Sequence, residues 1–190
     1  MKNNRHGKAT IFSSFDYEKI INCTVGENHK MIFRLAYYTG ARMGEVCKLL
    51  TLSVYGSGGE VLDCVTYQKY STKTKETRQV PISHRLREYL KFYWHQHHPN
   101  YQGYLFPGTG EGHLQFQSAD DAFRRAVKSA GLEGMGYSTH SFRRTAATNL
   151  ATSGIGLAVI QRITGHSTLT SLQRYIDVAP VQIQSAIAIL

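Results

Sequence analysis

Cysteine is scarce in this chain. Cys23, Cys47 and Cys64 are its three, an odd number without metal-ligand spacing, which argues against a disulfide framework and fits a reducing compartment. Long apolar runs are absent as well: none approaches the ~18 residues that a membrane span needs. Behind Met1-Lys2-Asn3-Asn4-Arg5 there is no apolar stretch of the kind that marks a signal peptide. A cytoplasmic protein with no membrane partner is expected. Acidic residues are the minority, 13 against 22 Lys and Arg, which leaves a formal charge of +9. An excess of that sign favours a polyanionic partner. No internal repeat, low-complexity segment or clear linker interrupts the sequence.

What is present suffices for one globular domain. The 190 residues are 42% hydrophobic and include 12 Tyr and 8 Phe, enough for a sizeable core. Residues 1–12 read as a basic N-terminal arm. Ser13 and Ser14 can cap a first helix that runs through Ile20 and Ile21, and a second covers about 28–38, ended by Gly40 in a left-handed turn. A short helix begins near Arg42. The stretch 52–83, rich in Val, Tyr and Thr, is expected to form three short antiparallel strands at about 52–55, 61–68 and 77–82. Ser83 caps a helix over 84–97, and further helices are expected at 118–130, 140–152 (capped by Ser138), 157–163 and 168–176. The fold class is therefore mainly α with a small antiparallel three-stranded edge sheet (α+β).

Five separated positions carry chemistry that combines into one reaction centre. Arg42 sits in Gly40-Ala41-Arg42-Met43-Gly44-Glu45 and Arg143 in Thr139-His140-Ser141-Phe142-Arg143-Arg144. Guanidinium groups match phosphate oxygens with planar paired donors. Arg42 stands at a helix start, where backbone amides add to an anion site. His140 and Arg143 are three apart on one helix and share a face, so His140 can move a proton beside the arginine. His166 follows Gly165 at a helix end and can donate to a phosphate oxygen. Tyr175, a phenol of ordinary pKa ~10, becomes a nucleophile if cations favour its anion and neutralise the phosphate that it attacks. Glu45, one turn after Arg42, is expected to support the basic cluster rather than act as an acid. Arg144 points about a hundred degrees away round the helix and is assigned to structure or to the DNA backbone. His95, His97 and His98 beside Trp94 lack a nearby thiol or carboxylate pair, and no metal site is expected from them.

These motifs resemble the tyrosine recombinase (phage integrase) family. Its pattern is an early arginine, a lysine on a β-hairpin, His-x-x-Arg, Gly-His, and a tyrosine nine residues after that histidine; here 166 plus 9 is 175. Each motif alone is weak, but in this order and spacing they are specific. The resemblance spans nearly the whole chain as a catalytic domain, at about 13–179, and implies that domain's fold. It also implies the hairpin lysine, eight residues before Pro81, as Lys73, the general acid for the leaving 5′ oxygen. Lys69 and Lys75 are alternatives for that role, and Lys75 and Arg78 are expected to touch phosphates. Tyr175 would attack the scissile phosphate, stabilised by Arg42, Arg143 and His166, and store the broken diester as a 3′-phosphotyrosine. No cofactor, metal or ATP is implied.

The chain departs from the family pattern in three places. Only about a dozen residues precede the first helix, where most members have a helical DNA-binding domain. The chain is thus either an excised catalytic domain or a naturally small recombinase resembling the fimbrial inversion recombinases, and Met1 favours a natural start. The tail 180–190 is a short helix that packs either on a neighbouring subunit or on its own domain. Thr164 replaces the usual leucine before Gly165, where only a local packing change is expected. The implied partners are double-stranded DNA, further copies of the chain in a recombination tetramer, and an accessory DNA-bending protein, in a nucleoid-associated prokaryotic or phage setting. Two other readings are a DNA-binding regulator that keeps the fold without recombining, which the intact residue set disfavours, and a type IB topoisomerase, which reseals the same strand.

Overall fold

Ser13 opens the first helix, its hydroxyl accepting from the Asp16 N–H at 3.0 Å, so a side chain satisfies a donor that helix geometry leaves unpaired. This helix, α1 (Ser14–Cys23), is followed by α2 (Glu27–Thr39) and α3 (Met43–Cys47), and then by the strands β1 (Cys64–Tyr67) and β2 (Arg78–Pro81). The second half is helical: α4 (His84–His97), α5 (Phe116–Ser129), α6 (Thr139–Thr152), α7 (Leu157–Thr164) and α8 (Leu169–Gln173). The computed structural model describes residues 8–70, 72, 76–110, 112–176, 183 and 187–188. Lys73, Lys75, residues 1–7 of the arm and most of the tail 180–190 lie outside the described residues.

Helix α2 is the pillar. Met31, Ile32, Phe33, Leu35 and Ala36 are all buried on it, and α3, α4, α5 and α6 pack round it. An aromatic cluster joins α2 to α5 and α6: Phe33 stacks on Phe142 with ring centroids 5.4 Å apart, and Phe123 meets Phe142 edge-on at 5.2 Å. Each such side chain contributes about 1.5–3 kcal/mol by leaving water. Phe12 belongs to this cluster too, with its ring 4.9 Å from those of Tyr137 and Phe142. Its backbone N–H donates to Thr145 Oγ1 at 2.8 Å. The core therefore begins before Ser13, and Phe12, assigned to the arm from sequence, is part of it.

The expected three-stranded sheet is a two-stranded one among the described residues. β1 and β2 pair antiparallel, with Cys64 opposite Pro81 and Tyr67 opposite Arg78. The missing strand, 52–55, curls instead. Thr51–Ser53 is a 3-10 turn, and the Thr51 carbonyl accepts from the N–H groups of both Val54 and Tyr55. Tyr55 then turns inward, its hydroxyl donating to the Leu90 carbonyl on α4 at 2.8 Å. The run keeps only a single antiparallel bridge, Tyr55 to Val61, a case of tertiary context overriding strand propensity. Helix limits fall within about two residues of expectation except at α8, which is shorter at its C-terminal end. Frayed termini account for differences of that size.

Two glycines set the backbone for the site. Gly40 ends α2 with φ 63° and Gly165 ends α7 with φ 70°, the left-handed region that side chains with a Cβ enter at a cost. The two turns bring Arg42 and His166 close together: Arg42 Nη1 donates to the Gly165 carbonyl at 3.5 Å.

Candidate active site

Arg42 is the N-cap of α3, in extended conformation just beyond the Gly40 turn. Its backbone N–H and its guanidinium Nη1 both donate to the Glu45 carboxylate, at 3.3 and 2.7 Å. Glu45 lies three residues into the helix, where a carboxylate also favours the positive end of the helix dipole. Its second oxygen accepts from Arg78 Nη2 on β2 at 3.0 Å. One buried carboxylate, 3% exposed, thus ties together two arginines that the chain separates by the whole hairpin. Burial alone would raise the Glu45 pKa, but the Arg78 charge and the Arg42 hydrogen bond outweigh it and hold the carboxyl below its ordinary range.

Arg78 departs from its expected place. It is buried rather than a solvated hairpin cation: it is 8% exposed, its guanidinium lies over the Tyr67 ring at 4.6 Å, and Gly165 packs directly against it. Arg144 takes the structural of the two places expected for it. It is buried, and its Nη1 donates to the Ala9 carbonyl at 2.6 Å, so it holds the chain entering the core. The periodicity separated Arg144 from Arg143 correctly, but the other side of the helix proved to be protein.

Arg143, on α6, is 2% exposed. Its Nη1 donates to the Gly40 carbonyl at 2.9 Å and to the Thr164 carbonyl, the ends of α2 and α7, where helix dipoles are negative. Its Nε points to His166 Nε2 at 3.3 Å. Its Nη2 is buried with no hydrogen-bond partner among the described residues. Burial, then the neighbouring Arg42 charge, lowers its pKa to about 9, so it is still a cation at neutral pH. A charged donor held this way is short of one acceptor and short of negative charge, and an anion supplies both.

His166 is 6% exposed. Its Nδ1 lies 2.7 Å from Thr164 Oγ1. Burial, then the charges of Arg143, Arg42 and Arg78, pushes its pKa down to about 3, so it is neutral at ordinary pH. The Tyr175 ring meets the His166 ring edge-on, centroids 4.8 Å apart, and the Arg143 guanidinium carbon is 5.8 Å from the Tyr175 ring centre. Thr148 Oγ1 on α6 donates to the Tyr175 carbonyl at 3.1 Å, anchoring the turn after α8. His140 lies exposed at the mouth of the site. It lines one cleft with Arg42 and Arg143 and an adjoining one with Arg174 and Tyr175. Partial burial, then the charges of Arg143 and Arg42, lowers its pKa, leaving a neutral imidazole that can accept a proton.

The five positions singled out from sequence therefore meet, drawn from α3, α6, the turn after α7 and the turn after α8. Residues 12–181 match the phage integrase family. The chain belongs to that family. The integrase of Escherichia phage P2 is 31% identical to it over 165 residues, 86% of this chain and 42% of the phage protein. The catalytic domain of bacteriophage HP1 integrase superposes with a TM-score of 0.63 at 26% identity, covering 95% of each chain. The integrase of transposon Tn1549, solved in complex with a circular intermediate DNA, superposes with a TM-score of 0.73 at 16% identity, over 99% of this chain and 68% of that one. This integrase-family chain spans less than half the length of the phage P2 relative.

Reading the motifs understated two positions at the site, Thr164 and Arg78, and did not single out a third, Thr148. Thr164 was expected to alter packing only, yet it hydrogen-bonds to His166 and offers its carbonyl to Arg143. Thr148 was not singled out; it lies five residues after Arg143 on the same helix, and no residue type signalled it. The burial of Arg78 was signalled weakly, by its place in the alternation of β2.

Proposed function

We propose that this chain cuts and rejoins DNA strands at specific sites through a covalent bond from Tyr175 to a 3′ phosphate. The observation that carries this is the pairing of Arg42 and Arg78 with the single carboxylate of Glu45, with Arg143 near enough to feel its charge and Tyr175 beside Arg143. Three guanidinium groups and one carboxylate leave about two positive charges, the complement of a phosphodiester approaching its doubly charged pentacoordinate transition state.

In this reading Tyr175 Oη attacks phosphorus and the bond to the 5′ oxygen breaks. Arg42 and Arg143 bind the non-bridging oxygens, the latter through its unpartnered Nη2, and His166 borders the same phosphate. His140 takes the phenol proton, and Lys73 gives one to the departing 5′ oxygen. A 5′-hydroxyl from another strand then attacks the phosphotyrosine, releasing Tyr175 and forming a new diester. The energy of the bond is conserved, so no ATP is required. Double-stranded DNA is the substrate, as the DNA complex of the Tn1549 integrase supports. Strand exchange needs several copies of the chain, and an accessory bending protein would shape the DNA. Ile183 and Ile187 of the tail, exposed at 60% and 64%, are apolar surface suited to contact between copies.

The test is covalent trapping. Wild type and Tyr175→Phe are incubated without metal on nicked DNA from the flanks of the native gene, then quenched in detergent. A protein–DNA adduct with wild type and none with the variant is expected. An equal adduct with Tyr175→Phe would remove the tyrosine from the reaction.

A further inference from the structure

Thr164 makes three polar contacts at the floor of the site, and their directions are determined by what each atom can do. The Ile160 carbonyl, 2.7 Å from Thr164 Oγ1, can only accept, so the single hydroxyl hydrogen of Thr164 points there. Thr164 Oγ1 must then accept from His166 Nδ1, at 2.7 Å, which places the imidazole hydrogen on Nδ1. His166 Nε2 is left with a lone pair, and it faces Arg143 Nε, which can only donate. Every group in the chain Arg143–His166–Thr164–Ile160 is matched in this arrangement. A hydrogen on Nε2 would oppose the Arg143 donor.

We infer that Thr164 is a positioning residue that sets the tautomer of His166, holding the hydrogen on Nδ1 so that Nε2 is an acceptor clamped to Arg143 in the DNA-free protein. The inference deepens the strand-cutting reading and rests on it only for the catalytic consequence. The leucine usual at this position in the family has no atom that could do this. A hydroxyl can also serve the opposite tautomer, but only by giving up its bond to the Ile160 carbonyl and turning its hydrogen to Nδ1, which supports a hydrogen on Nε2. Thr164 is therefore compatible with His166 as a clamp before DNA binds and as a donor once a phosphate has drawn Arg143 Nε away. The side chain is fully buried, and its methyl packs on Gly40. Thr164→Val keeps that methyl and removes the hydroxyl, while Thr164→Ser keeps the hydroxyl.

The test is nitrogen-15 NMR of the histidine rings in the full chain without DNA, assigned by comparison with His166→Gln. Wild type should show the His166 hydrogen on Nδ1 and a bare Nε2. In Thr164→Val the ratio of the two tautomers should move toward Nε2–H on the order of tenfold, the worth of one hydrogen bond. Thr164→Ser should retain the wild-type signature. A wild-type His166 carrying its hydrogen on Nε2, or an unmoved ratio in Thr164→Val, overturns the assignment. Should Thr164→Val not fold, loss of the Nδ1–H signature in Thr164→Ser overturns it equally. The catalytic consequence is read separately as the rate of adduct formation at saturating DNA, expected to fall roughly tenfold or more in Thr164→Val and to recover in Thr164→Ser. If the tautomer is as stated but wild type forms no adduct, the strand-cutting reading fails and the role of Thr164 in setting the ring stands.

Discussion

Glu45 and Arg78 form a buried ion pair at 3.0 Å, 8% and 3% exposed on the arginine and carboxylate sides, although 33 positions separate them. The pair joins α3 to β2 and puts a negative charge among Arg42, Arg78 and Arg143. Removing that charge leaves Arg42, Arg78 and Arg143 repelling one another in a desolvated place. Glu45→Gln should therefore cost about 3–5 kcal/mol, the usual penalty for breaking a buried pair on one side. Urea unfolding measures this through the transition midpoint. Glu45→Gln combined with Arg78→Gln should cost less than the sum of the two single changes, because the second removes the orphaned cation. Additive losses would show that the pair is not coupled.

Gly165 is under a double constraint. Its φ of 70° lies in the left-handed region, and a Cβ there would stand 2.0 Å from Arg78 Nη1. A flexible arginine on a surface would swing aside, but this one is held by Glu45. Gly165→Ala should cost about 1–2 kcal/mol for the backbone alone and should also displace Arg78 from its carboxylate. The checkable outcome is a loss of stability in Gly165→Ala that shrinks when Arg78→Ala is already present. An equal loss in both backgrounds would mean that only the backbone matters.

Much of this arrangement was legible in the sequence because the signals are local. Gly40 and Gly165 announce left-handed helix ends, Ser13, Ser83 and Ser138 announce helix starts, and the nine-residue step from His166 to Tyr175 places their rings as neighbours. The rest was hidden because it depends on partners far along the chain. The Val- and Tyr-rich run at 52–55 has strand composition, and only its packing on Leu90 shows why it curls. Arg78 and Arg144 have the character of surface cations until Glu45 and the Ala9 carbonyl are seen beside them. Thr164 looks like a packing substitution for leucine until its hydroxyl is seen against His166 Nδ1.

Acid should destabilise this protein through two buried groups, beginning with His166 and joined at lower pH by Glu45. His166 is neutral when folded, its pKa pushed down to about 3, whereas unfolded it titrates near its ordinary value of ~6.5. As pH falls through that value the unfolded chain takes up a proton that the folded one refuses. The stability contributed by neutral His166 is therefore present above about pH 6.5 and is lost progressively below it, with a slope approaching 1.4 kcal/mol per pH unit. Glu45, held below its ordinary range, loses its contribution only in more acid solution, as the carboxylate is protonated. His166→Gln should flatten the stability curve from about pH 6 down towards 3, most plainly above pH 5 where Glu45 stays ionised in both states, as followed by urea midpoints across the range. A variant curve parallel to wild type in that window would mean that His166 is not excluded from protonation.

Arg144 and Arg143 are sequence neighbours that should behave oppositely toward DNA. Arg143 lines the cleft of Arg42 with an unpartnered Nη2, whereas Arg144, at the edge of the cleft of Tyr175, is bonded to the Ala9 carbonyl. Nearby, the Thr10 N–H donates to the Gly136 carbonyl at 3.0 Å, and Phe12 is seated among four rings. Arg144→Ala should therefore loosen the entry of the chain into the core, seen as faster proteolytic cleavage before Phe12. It should leave the salt dependence of DNA binding unchanged, since no phosphate contact is lost. Arg143→Ala should lower the slope of log affinity against log salt by about one, the signature of one phosphate contact removed. The two slopes, measured on the same duplex, decide the matter. A reduced slope in Arg144→Ala would restore it to the DNA surface, and an unchanged slope in Arg143→Ala would take phosphate binding away from the residue best placed for it.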